Sequence, residues 1–189
     1  MSHSRVFPDG RAKKTVFVCI GEESVNGSLR REYCERLEMV CAEYQRRTAD
    51  GSITDVTDVV VLLSGGVMRA GASQLLHLVV DCLTDYAEQR AVQLPTLLLA
   101  QPAESPEECV QHVETVLQEQ KIRPIAVVLV VPARYAVMFG PYVKTLWPKL
   151  PLEVLVSRDR RSWLRRLWDT WSFDRAEARR KSTAGQPHR

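Results

Sequence analysis

The sequence predicts an α/β fold: a single domain with about five mainly parallel strands flanked by helices, followed by a basic, tryptophan-rich C-terminal helix. Three observations predict it. Short β-branched runs alternate with longer stretches whose apolar residues recur every three or four positions. The runs Val59–Leu63 and Ile125–Val131 are almost continuously apolar, as strands are when helices cover both faces. Each run leads through a loop into a helical stretch, the order of right-handed β-α-β crossovers.

Thr15–Ile20 is the first strand. Gly21–Ser28 then reads as a loop, with Asn26-Gly27 as a turn signal and Ser28 as a helix cap. From Leu29, apolar residues at Tyr33, Leu37, Val40, Cys41 and Tyr44 mark a helix with one buried face. Thr48–Thr57 is a polar connection. Asp58–Leu63 is the second strand, and a helix follows from about Met68 to Arg90. Leu94–Leu99 is the third strand. Ser105-Pro106-Glu107-Glu108 is the sharpest helix start: Ser105 caps, Pro106 suits the first helical position, and Glu108 completes a capping box. That helix runs to about Gln120. Ile125–Val131 is the fourth strand. Tyr135–Trp147 is helical in character but interrupted at Gly140-Pro141, which predicts a kink or two short pieces. Leu152–Val156 is the fifth strand. The organisation expected is an extension over 1–14, an α/β domain over 15–157, a basic helix over 158–181 and a tail over 182–189.

Composition narrows the function classes. Hydrophobic residues make up 45% and charged residues 26% of 189, values of a globular chain. No apolar run reaches the ~18–20 residues of a membrane-spanning helix. The stretch Met1–Lys14 has no apolar core of a secretory signal, and its four basic residues are compatible with a short mitochondrial presequence or a solvated terminus. Five cysteines, at 19, 34, 41, 82 and 109, show no zinc spacing. They read as reduced core residues of an intracellular reducing compartment, cytoplasmic or mitochondrial matrix. A disulfide miniprotein and a wholly basic nucleic-acid binder are excluded.

A parallel sheet brings its β-to-α loops to one edge, where ligands of such folds bind. Ser64-Gly65-Gly66 is the leading candidate there. Two glycines let backbone amides approach an anion, and Arg69 adds a charge; a glycine pair also serves a tight strand-to-helix turn. Glu104 and Arg134 lie in the third and fourth loops and complete the candidate ligand set. Glu107 and Glu108 are acidic residues of a first helical turn, where the helix dipole favours them. His77 and His112 fall within helices, away from the predicted loops. No G-x-S-x-G elbow, H-x-x-x-H pair or Walker loop occurs, so no catalytic residue and no metal ligand is assigned.

Four stretches in order resemble the YdcF-like family, which includes SanA-like and ElyC-like envelope proteins. They are Thr15–Gly21; Arg36-Leu37 followed by Asp50-Gly51 and Val59–Gly66 (VVVLLSGG); Ala103–Glu108; and Val127–Arg134. The resemblance spans roughly 15–157. It implies a Rossmann-like fold and a pocket for S-adenosylmethionine or an envelope-related substrate. The family's Thr-Ser after the fourth strand is Val131-Pro132 here, its histidine falls at Tyr135, its following arginine at Met138, and its Glu-Asn at Glu107-Glu108. The resemblance therefore implies a divergent member that keeps the scaffold without the catalytic set.

The net charge of +3 divides unevenly. From Arg158 onward there are 10 basic and 4 acidic residues, a local +6; residues 1–157 carry 16 and 19, a local −3. Trp163, Leu164, Leu167, Trp168 and Trp171 form one helical stripe beside Arg165 and Arg166. Four readings are open: packing on the sheet, docking to another protein subunit through Trp and Arg anchors, RNA contact, or a membrane-surface helix. The resulting expectation is a binding or structural subunit of a larger assembly, anchored by this segment; the alternative is a small-molecule binding protein or enzyme with a nucleotide-like ligand.

Overall fold

The structure is a computed structural model that describes residues 10–21, 29–65 and 76–157. All of them lie in one compact unit, 1–158. Five strands, β1 (Ala12–Ile20), β2 (Val59–Ser64), β3 (Thr96–Ala100), β4 (Ile122–Pro132) and β5 (Leu152–Ser157), form one sheet in the order β3-β2-β1-β4-β5. Every pairing is parallel. Four helices connect them: α1 (Arg31–Ala49), α2 (Leu76–Gln89), α3 (Pro106–Glu119) and α4 (Ala133–Leu146). The α/β class and the five-strand sheet are thus as the sequence predicts, and the order is that of a Rossmann-like fold. The predicted basic helix at 158–181 lies outside the described residues.

Burial explains the apolar runs. All six residues of β2 and the last six of β4 are buried, because helices cover both faces of the central strands. The edge strands β3 and β5 are only partly covered. Tyr33, Leu37, Val40, Cys41 and Tyr44 of α1 are buried against Phe17, Cys19, Val61 and Val128. Each such large side chain contributes roughly 1.5–3 kcal/mol relative to exposure.

α1 is entered through Arg30, which makes no side-chain cap bond, rather than through Ser28. Apart from such shifts of one or two residues, three features differ from expectation. First, β1 begins at Ala12 rather than Thr15, and β4 at Ile122 rather than Ile125. Ala12, Lys13 and Lys14 pair with Ile122, Arg123 and Pro124. Lysine, arginine and proline there hide the strand from a hydrophobicity count. The register then shifts, leaving Ile125 as an exposed bulge. Second, Gly140-Pro141 does not break α4, which runs through it as one helix. Pro141 lacks the N–H that would bond to the Val137 carbonyl, and Val137 lies on the exposed face of the helix, 83% exposed. Tyr135, Phe139 and Val143, four apart, bury one stripe and hold the helix in place. Third, Ser105 does cap α3, accepting from Glu108 N at 3.2 Å, yet the reciprocal half of the box is shifted. Glu108 Oε2 accepts from the Glu104 amide at 2.8 Å instead of the Ser105 amide. Ser105 is fully extended (φ −143°, ψ 158°), and the amide presented to the first turn is the one before it.

Among the described residues, no helix is long and apolar enough to cross a membrane.

Candidate functional site

Parallel pairing puts the strand ends Ile20, Ser64, Ala100, Pro132 and Ser157 at one edge of the sheet. The chain leaves β1 toward β2 and leaves β4 toward β5, in opposite directions along the sheet. The crevice between these two departures is where open α/β sheets take their ligands.

Buried polarity concentrates at this edge. Among the described residues, the buried polar or charged side chains are Arg36, Ser64 and Ser157. Ser64 and Ser157 end β2 and β5, and Arg36 bonds to the end of β1. A buried polar group costs free energy unless it is bonded, so its placement is informative.

Arg36 lies one turn into α1, on the same stripe as Tyr33, Leu37 and Val40. It is fully buried. Its Nε donates to the Ile20 carbonyl at 3.0 Å, and its guanidinium stands 5.1 Å from the Tyr33 ring centroid. A guanidinium remains charged at any ordinary pH. The structure therefore places a permanent cation beneath the β1 end of the edge. Arg36 is not among the ligand residues that the sequence predicts. The signal for it is an arginine at positions i+3 and i−4 from buried residues of an otherwise apolar face.

Ser64 and Gly65 have their donors engaged inside the fold. Ser64 Oγ and Cys109 Sγ are 2.9 Å apart and hydrogen-bonded, tying β2 to α3. The Ser64 carbonyl accepts from Gly21 N at 2.9 Å, and Gly65 N donates to the Ala100 carbonyl at 3.0 Å. A Cβ on Gly65 would stand 2.4 Å from both Cα and N of Pro102. Close approach of two loops is thus what requires glycine here. Ser157 Oγ is buried and has no hydrogen-bond partner among the described residues.

The remaining candidates are dispersed. Glu104 is exposed, with its amide on Glu108. Arg134 is the second residue of α4. Gly66, Arg69, Trp163, Arg165, Arg166, Trp168 and Trp171 lie outside the described residues. His112 is closer to the loops than its place in a helix implies: Nδ1 donates to the Gln101 carbonyl at 3.3 Å, and Nε2 is 3.8 Å from Glu108 Oε1. Its ring braces the loop before α3. Among the described residues, no group of three or more His, Cys, Asp or Glu side chains is placed to hold a metal.

No protein-family model matches the chain, and no curated protein matches it.

Proposed function

We propose that this protein is a non-catalytic, Rossmann-like binding protein whose sheet edge at the β1–β4 crevice receives the anionic group of a small nucleotide-like or S-adenosylmethionine-like ligand. The observation that carries this reading is the buried Arg36 cation bonded to the end of β1. Strand ends at a topological switch point are where sheets of this order take ligands, and Arg36 is bonded to one of them. Val131-Pro132 and Tyr135 stand where the resembling family has polar catalytic residues, which favours binding over turnover. A thermal-shift series with phosphate, nucleotides and S-adenosylmethionine tests it. Binding raises Tm with ligand concentration, and Arg36→Met abolishes the rise. No shift with any of them removes the reading.

The charge division favours a second reading, in which the protein is a subunit of a larger assembly anchored by 158–181. A segment of +5 with three tryptophans has the composition of an anchor for an acidic, apolar partner. Removing residues 158–189 then eliminates co-purifying subunits. Unchanged association counts against it.

A further inference from the structure

Away from the sheet edge, α1 and α2 flank a groove of about 510 Å³. Leu37 and Leu78 form part of its apolar lining, and Glu38 and Asp85 contribute carboxylates. Two cysteines also line it: Cys34, in the first turn of α1, and Cys82, in the second turn of α2. Both are half-buried, whereas Cys19, Cys41 and Cys109 are fully buried. The Cys34 and Cys82 thiols thus share one groove between adjacent helices, close enough to influence each other electrostatically. Two thiols so placed are joined once rotamer changes and an approach of the helices bring their sulfurs to the ~2.05 Å of a disulfide.

We propose that Cys34 and Cys82 form a reversible disulfide that ties α1 to α2, made by exchange with a small-molecule disulfide of the glutathione type. Exchange can begin at either cysteine, and both routes give the same disulfide. Burial, the neighbouring Cys34 and the carboxylates of Glu38 and Asp85 hold Cys82 protonated, its pKa pushed up to about 12. In the route through Cys34, its thiolate attacks one sulfur of the small disulfide; that S–S bond breaks, and one small thiol leaves with the proton. Cys82 then gives up its proton and attacks Cys34 Sγ in the mixed disulfide, expelling the second small thiol. Two protein thiols are oxidised to one disulfide, and one small disulfide is reduced to two thiols.

Cys34 lies two residues before Arg36, and α2 is the helix between β2 and β3. The cross-link therefore joins two helices that connect to the candidate edge, although its formation does not depend on any ligand there. Its loop spans residues 34–82, long enough for the entropic stabilisation of a disulfide to be substantial.

The test equilibrates the whole chain in glutathione buffers from reducing to oxidising, quenches free thiols by alkylation and maps peptides without reduction. The expected result is one intramolecular link, Cys34–Cys82, with a loss of about 2 Da that titrates with the buffer. Oxidised protein should melt several degrees higher than reduced protein, and Cys34→Ser should lose that difference. If both thiols are still alkylated in the most oxidising buffer, if they carry only glutathione adducts, or if the link joins other cysteines, the proposal is wrong. The wild-type map decides the matter even if a cysteine variant folds poorly.

Discussion

Arg36 Nε donates to the main-chain oxygen of Ile20 at 3.0 Å, so a fully buried cation on α1 holds the last residue of β1. Two substitutions separate its packing from its charge. Arg36→Ala removes both and leaves a cavity, and should lower unfolding free energy by ~3 kcal/mol. Arg36→Met refills most of the volume without burying a charge, and should cost less than ~1.5 kcal/mol. Urea unfolding checks both. Equal losses in the two variants would show that the hydrogen bond and charge, not the volume, dominate.

Gly65 should tolerate no side chain. A Cβ at this position would press against backbone atoms of Pro102, which cannot rotate away. Gly65→Ala is expected to destabilise by ~1–3 kcal/mol through separation of the second and third loops. Gly140→Ala is the control, because nothing stands within 4 Å of a Cβ there. Helix propensity favours alanine and crowding by the following proline opposes it, so the change should stay below ~1 kcal/mol. Chemical denaturation of the pair measures the contrast.

Ser105 and Glu108 together satisfy two amides at the start of α3. Ser105→Ala should cost ~1 kcal/mol, the usual loss of an N-cap. Glu108→Gln keeps an acceptor for the Glu104 amide but loses the dipole contribution, and should cost only ~0.3–1 kcal/mol. Thermal unfolding at low ionic strength resolves the two.

These predictions rest on features that differ in how readable they are from the chain alone. The buried strands are plain in VVVLL and AVVLVV, because coverage on both faces demands an unbroken apolar run. The face of α1 is equally plain from the spacing of Tyr33, Leu37, Val40 and Tyr44. Arg36 shares that spacing but has the wrong chemistry for a core, so residue type hides it. The pairing of Cys34 with Cys82 is not readable at all: it depends on α1 and α2 lying side by side, which only the strand order establishes. Lys13, Lys14 and Pro124 likewise belong to strands because of their partners, not their propensities.

Acid should weaken the far end of α1. Hydrogen bonds from Arg46 and Arg47, with their charges, hold the Glu43 carboxyl below its usual 4.5. Arg47 in turn pairs with Glu153 of β5. A depressed carboxylate pKa contributes stability that is present above the unfolded value and is lost as pH falls through the folded one. Stability of the wild type should therefore decline below about pH 4.5, and Glu43→Gln should flatten that decline. Melting temperatures taken between pH 3 and 7 give the comparison; identical slopes would show that other carboxylates govern it.

The position of β1 in the middle of the sheet has a consequence for synthesis. β1 takes β2 on one side early, but its other side is closed by β4, which begins more than a hundred residues later at Ile122. Until that segment leaves the ribosome, one ladder edge of an apolar strand has no native partner. Contacts this distant in sequence also slow folding in solution. The nascent chain thus passes through a long interval with a sticky central edge, the interval in which a holding chaperone matters most.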